Sequence, residues 1–155
     1  MDFDQPQEQS ASTQVPYPAM TKQAAGLVNG VPTDIMFMSF ADKIMVTITQ
    51  EGRLAQWIHV PLGSANPNHS EQYLPASSDE GDLLPMAHLT PKTLLGGSTS
   101  ERETMGQLYA TQIATAITSK NPDESRIVLV GLGLKKVEAS RETFFDIVEL
   151  MFKCL

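Results

Sequence analysis

The chain has 155 residues, 41% of them hydrophobic, which is the length and composition of one globular domain with a sizeable core. Its formal net charge of −7, with only 11 Lys and Arg residues scattered along it, argues against a nucleic-acid-binding surface. The single cysteine allows no internal disulfide, and no apolar run approaches the ~20 residues of a membrane helix. We therefore expect a protein of the cytoplasm or the nucleus that binds neither nucleic acid nor membrane.

Two parts of the chain lack the patterns of regular structure. Residues 1–21 hold Gln, Ser, Pro and acidic residues with little apolar periodicity, and we predict that they form a disordered N-terminal tail. Residues 63–85 hold Pro, Ser, Asn, Gly and an acidic cluster, and we predict a flexible acidic insertion there. The rest of residues 22–155 is then a single α+β domain.

Turn signals separate a series of predicted strands near the start of this domain. Asn29-Gly30 is a strong hairpin signal, and Glu51-Gly52 fits a second two-residue turn because glycine accepts the positive φ of a primed turn. The segments that these turns and a short polar break separate are rich in β-branched and aromatic residues and run over 22–28, 31–40, 44–50 and 54–60. We predict that residues 31–62 form a three-stranded antiparallel meander.

The second turn would give the last two strands a register in which the numbers of opposed residues sum to about 103. One face of this pair would carry Ile44, Val46, Ile48, Ala55, Trp57 and His59. The other face would carry Met45, Thr47, Thr49, Leu54, Gln56 and Ile58. No charged side chain stands on this second face, whereas a sheet face in water normally alternates more sharply. We therefore expect both faces to be covered, one by the chain's own helices and one by another protein.

In the second half of the domain, the sequence predicts two helices and two more strands. Residues 86–95 favour a short edge strand, and residues 126–134 form the most apolar strand, which indicates burial on both sides. Ser100 and Glu103 have the spacing of a capping box for a helix that ends near Lys120. Ser140 is a cap for a second helix, whose apolar stripe is Phe144, Phe145, Ile147, Val148, Met151, Phe152 and Leu155. The predicted fold is an antiparallel sheet of about six strands with two helices packed on one face, the other face being used for dimerisation.

The sequence holds no arrangement that predicts catalysis. His59 lies on a predicted strand without a neighbouring nucleophile or orienting acid. His69, His88 and Cys154 lack the spacing of a metal site. Gly131-Leu132-Gly133 is similar to the start of a dinucleotide fingerprint, but the third glycine and the helix that should follow are missing. We therefore predict no catalytic residue, no metal and no cofactor, and a protein-binding module instead of an enzyme.

Three short segments carry a family resemblance: NGVPT at residues 29–33, IMVTITQEG at 44–52 and LLG at 94–96. With these segments the sequence resembles the proteasome assembly chaperone 3 family. The resemblance continues, in the same order, through the predicted helix at 100–120, the apolar strand at 126–134 and the C-terminal helix. It covers roughly residues 22–155, and the long acidic segment and the N-terminal tail depart from the pattern.

The resemblance implies a small α+β protein that is not an enzyme. It implies that the chain pairs through its sheet with a related small chaperone, proteasome assembly chaperone 4, or with itself. The pair is implied to bind α-type proteasome subunits, notably the fifth, and to promote α-ring assembly of the 20S core particle. For the pairing surface we predict the face with Met45, Thr47, Thr49, Gln56 and Ile58. Register arithmetic leaves open which face meets the helices, because a slip of one residue exchanges them.

Two alternatives from other classes fit parts of the pattern. A small dimerising α+β adaptor or scaffold in trafficking or signalling would share the two covered faces but bind different proteins. A small hydrolase or transferase would need a site that the sequence does not display, and bound metal or nucleotide would reveal it.

Overall fold

The computed structural model describes residues 19–63, 89–136 and 140–155. Its strands are β1 (Met20–Val28), β2 (Val31–Ser39), β3 (Lys43–Gln50), β4 (Gln56–Pro61), β5 (Lys92–Leu95) and β6 (Ile127–Gly133). Its helices are α1 (Ser100–Lys120), between β5 and β6, and α2 (Arg141–Phe152). Strand β1 begins two residues before the predicted domain boundary at 22. Residues 1–18 of the predicted tail lie outside the described residues, and so does the predicted insertion apart from Gly63.

All six strands form one sheet in the order β1-β2-β3-β6-β4-β5. Every neighbouring pair is antiparallel except β3 and β6, which run parallel. The predicted α+β fold, with six strands and two helices on one face, is confirmed. The predicted meander is wrong, because β6 enters from the far end of the chain and separates β3 from β4.

Both predicted turns form, and they have different consequences. Asn29 and Gly30 have φ values of 49° and 74°, and they close the β1–β2 hairpin as expected. Glu51 and Gly52 also have positive φ, at 55° and 68°. The chain does not fold back along β3 after this second turn.

Residues 53–55 instead lead the chain across the C-terminal end of β6. The Ala55 amide donates a hydrogen bond of 2.8 Å to the carbonyl of Leu132, which starts the pairing of β4 with β6. Gly133 makes this crossing possible, because a Cβ on it would lie only 1.6 Å from the carbonyl oxygen of Arg53. The local signals of a turn cannot reveal a strand that enters from the far end of the chain. Because β6 lies between β3 and β4, the expected register sum of 103 has no counterpart in the sheet.

The two helices cover one face of the sheet and form the core with it. The fully buried side chains at its centre alternate along the strands and include Ile35, Ile44, Val46, Ile48, Ile58, Val60, Val128 and Val130. Helix α1 contributes Tyr109, Ala110, Ile113 and Ala114, and α2 contributes Ile147 and Met151. Burial of a large aliphatic side chain stabilises a fold by roughly 1.5–3 kcal/mol, so this layer supplies most of the driving force for folding.

The helix ends largely follow the predictions. Helix α1 is capped by Thr99, one residue before the predicted cap, and the Thr99 hydroxyl accepts a hydrogen bond from the Arg102 amide. Helix α2 is capped by Ser140, as predicted. Two members of its expected apolar stripe, Phe145 and Phe152, are 45% and 54% exposed, because they point away from the sheet on the outer side of the helix.

Candidate protein-interaction surface

The face of the sheet opposite the helices is the candidate functional site. Side chains alternate along each strand, so residues between the buried positions point to this other side. No helix of the described part of the chain covers it. We call this surface the open face, and its central residues are Met36, Met38, Met45, Thr47, Thr49, Trp57, His59, Leu129 and Gly131.

The centre of the open face carries no Asp, Glu, Lys or Arg. Its side chains are apolar or uncharged and most are half-buried. Of the charged residues that the described strands place on this side, Lys43 and Lys92 lie toward its periphery and Asp34 lies opposite Thr49. A shallow concavity of about 510 Å³ lies over β1–β3, and its lining includes Gln23, Asp34, Met36 and Thr49. A mainly uncharged centre with charged residues around it is the usual anatomy of a protein–protein interface.

Trp57 lies across β6 on the open face. A Cβ on Gly131, its partner in the neighbouring strand, would lie 2.9 Å from the indole ring and 3.2 Å from a methyl group of Leu54. The missing side chain at Gly131 therefore lets the tryptophan lie flat against the sheet. Strand β6 was expected to be buried on both sides, but this cover is local, since Ile127 on the same side is 42% exposed.

The structure divides the five predicted interface residues between the two faces. Met45, Thr47 and Thr49 lie on the open face. Gln56 and Ile58 lie beneath α1, 5% and 0% exposed, so their predicted place at the interface is wrong. The Gln56 amide donates a hydrogen bond of 2.9 Å to the carbonyl of Arg102, which satisfies a polar group inside the core. The insertion of β6 changes the alternation of β4 relative to β3, and this exchanges the faces of the β4 residues.

Sequence reasoning missed several residues of the open face. Met36 and Met38 pair with Thr47 and Met45 across β2 and β3, and their alternation with Ile35 and Phe37 is a signal that could have placed them. Trp57, His59 and Leu129 could not be placed in the same way, because their side depends on the position of β6.

The remaining candidate groups that the structure describes do not form a chemical site, and His69 and His88 lie outside the described residues. Cys154 is 1% exposed, and its burial raises the pKa of the thiol. Burial likewise raises the pKa of Tyr109 to about 12. A cavity of about 20 Å³ beside Tyr109 and Gln56 has room for about one water molecule. Residues 19–63, 89–136 and 140–155 contain no group of three metal-ligating side chains, and neither described helix is long and apolar enough to span a membrane.

Comparison with known proteins identifies the family. The family model for proteasome assembly chaperone 3 matches residues 46–154, which is more than half of the chain. The chain belongs to the proteasome assembly chaperone 3 family. Its role is that of a chaperone in proteasome assembly, as the resemblance implied, and this favours the chaperone over the adaptor and enzyme alternatives.

A solved structure shows the same fold. It is a chain in the crystal structure of a novel chaperone complex for yeast 20S proteasome assembly, with a TM-score of 0.59 and 13% sequence identity. The match covers 86% of this family member and 97% of the yeast chain. A search of curated proteins finds no match.

Proposed function

We propose that this member of the family pairs through its open face with a related small chaperone, similar to proteasome assembly chaperone 4, or with a second copy of itself. We propose further that the pair binds α-type subunits of the 20S core particle, notably the fifth, and promotes assembly of the α-ring in the cytoplasm and the nucleus. The observation that carries the pairing is the uncharged centre of the open face, opposite the helices. The yeast chain of similar fold comes from a chaperone complex, which also supports pairing.

The chemistry of the open face suits a partner that must later leave. Its centre combines the hydroxyl groups of Thr47 and Thr49 with apolar side chains, whereas Ile and Val predominate in the buried layer on the opposite side. An interface of this kind selects a partner by shape and by the border charges, and it leaves room for release when the α-ring is complete. By mass action, the concentrations of the chaperones and of the growing ring then determine how much of the chaperone pair stays bound.

The test is affinity purification of the tagged chain with identification of the bound proteins by mass spectrometry. Thr47→Arg places a charge at the centre of the open face, where pairing would bury it without a partner. Thr104→Arg makes the same change at an exposed position of α1 and serves as the matched control. We expect the wild type and the control to recover a small chaperone and α-type subunits, and Thr47→Arg to recover at least tenfold less of the small chaperone.

Two results would contradict the proposal. The first is a wild-type purification that contains neither a second small chaperone nor α-type subunits, together with a monomeric mass in solution. The second is undiminished recovery of the small chaperone by Thr47→Arg, which would place the pairing surface elsewhere.

A further inference from the structure

Three methionines lie side by side at the centre of the open face. Met38 is the direct cross-strand partner of Met45, and Met36 lies two residues before Met38, on the same side of β2. All three side chains are half-buried. Three of the eight methionines of the chain thus lie at neighbouring positions of the open face, and we call them the methionine cluster.

The other described methionines have different surroundings. Met151 is 1% exposed in the core, and Met105 packs against the core from α1. Met20 is 60% exposed, but it points to the opposite side of the sheet from the cluster, because it pairs with Ser39. Among the described methionines, Met20 and Met151 therefore serve as an exposed and a buried internal reference for the reactivity of the cluster.

Methionine gives this surface both adaptability and a chemical weakness. Its flexible, polarisable thioether packs against partners of different shape, which suits a surface that pairs with itself or with a relative. Peroxides oxidise the same sulfur to a polar sulfoxide. In this step an S=O bond forms and the O–O bond of hydrogen peroxide breaks, so the sulfur loses two electrons and the peroxide leaves as water.

We propose that Met36, Met38 and Met45 are an oxidation site that controls pairing through the open face. This inference rests on the proposed function. Peroxide reaches the three sulfurs in the free chain, and the sulfoxide oxygens that result need hydrogen-bond donors. Met36 and Met38 lie opposite Gln23 and Thr21 of β1, which can donate to sulfoxide oxygens in the free chain. Pairing would still replace the water around these polar oxygens with a partner surface that fits apolar thioethers, and this costs binding free energy. Pairing in turn covers the sulfurs and protects them, and reduction of the sulfoxides restores the surface.

The first test measures reactivity in the wild-type protein. The full chain, alone and in complex with the small chaperone that co-purifies with it, is treated with hydrogen peroxide, digested and analysed by mass spectrometry. We expect Met36, Met38 and Met45 to oxidise at least fivefold more slowly in the complex than in the free chain. Met20 should oxidise at the same rate in both samples, and Met151 should react slowly in both.

The second test measures the effect on affinity. Peroxide treatment of the free wild-type chain should weaken its binding to the small chaperone at least tenfold, and treatment with methionine sulfoxide reductases should restore it. The triple variant Met36→Leu, Met38→Leu and Met45→Leu keeps the apolar volume and should bind with unchanged affinity before and after peroxide. Thermal unfolding of each oxidised sample distinguishes a lost surface from a lost fold.

The outcomes separate this inference from the proposed function. If untreated wild type does not pair, both are wrong. If it pairs but the cluster oxidises equally fast in the complex, or if oxidised wild type binds as tightly as the untreated chain, the oxidation site is wrong and the pairing proposal stands. Should the triple variant fail to pair, protection of the cluster in the wild-type complex decides the question.

Discussion

The layered fold makes Ile58 a direct test of which side of β4 is the core. Ile58 is 0% exposed, and its Cδ1 atom lies so close to α1 that a Cβ on Gly106 would be 2.7 Å away. Ile58→Ala removes three carbon atoms from this contact. Large-to-small substitutions of this kind cost ~2–5 kcal/mol, with the higher values where the site cannot collapse. The other β strands hold α1 in place, so the cavity cannot collapse. We therefore expect Ile58→Ala to lower the free energy of unfolding by about 3–4 kcal/mol.

The assay is urea unfolding followed by circular dichroism, with an unchanged m-value as the sign that two-state unfolding is retained. Gly106→Ala provides a second perturbation of the same contact, because its methyl group would collide with Ile58 and with the Gln56 amide. In the Ile58→Ala background the new methyl group partly fills the cavity. We therefore expect the double variant to be more stable than the sum of the single effects by ~0.5–3 kcal/mol.

A loss below about 1 kcal/mol for Ile58→Ala would refute the buried placement. Strict additivity with Gly106→Ala would refute the close contact between β4 and α1. Ile58→Asp, at a position that the sequence placed on the pairing surface, is expected to unfold the chain, because it would leave a carboxylate without a partner in the core.

Two further predictions concern the crossing at β6 and an ion pair beside the sheet. Gly133→Ala should lower the unfolding free energy by several kcal/mol or prevent folding, because its Cβ would overlap the Arg53 carbonyl oxygen. Gly52→Ala creates no clash and should cost only the strain of its positive φ, about 1–2 kcal/mol. Equal losses of stability for the two variants in urea titrations would contradict this prediction. Hydrogen bonds from Arg126 lower the pKa of Glu124 from 4.5 to about 2, so its contribution is present above about pH 4.5 and is lost as the pH falls toward 2. The stability difference between wild type and Glu124→Gln, measured by urea titration, should therefore shrink by roughly 1–3 kcal/mol on acidification, and a constant difference would be evidence against the ion pair.

The elements of the fold were largely predictable because their signals are local. The turn at Asn29-Gly30, the cap at Ser140 and the end of α1 at Lys120 depend on residues adjacent in sequence. The order of the strands was not predictable in this way. Nothing near Glu51-Gly52 distinguishes a turn that closes a hairpin from one that leads across a third strand.

That one insertion accounts for the errors at the interaction surface. The alternation of β3 correctly separated Met45, Thr47 and Thr49 from the buried isoleucines, since both sets lie on one strand. The side of Gln56 and Ile58 depended on a register between strands that are not neighbours. Gly131 and Gly133 allow a close approach to β6, and the approaching groups, Trp57 and the Arg53 carbonyl, could be named only from the three-dimensional arrangement.

The most direct test of the account is whether pairing covers the open face. The chain can be labelled with ¹³C at the methionine methyl groups and titrated with the unlabelled small chaperone that co-purifies with it, while methyl NMR spectra are recorded. We expect the signals of Met36, Met38 and Met45 to shift or broaden, and those of Met20, Met105 and Met151 to stay in place. Unchanged cluster signals in a fully formed complex, with changes at Met20 or Met105 instead, would contradict the central claim.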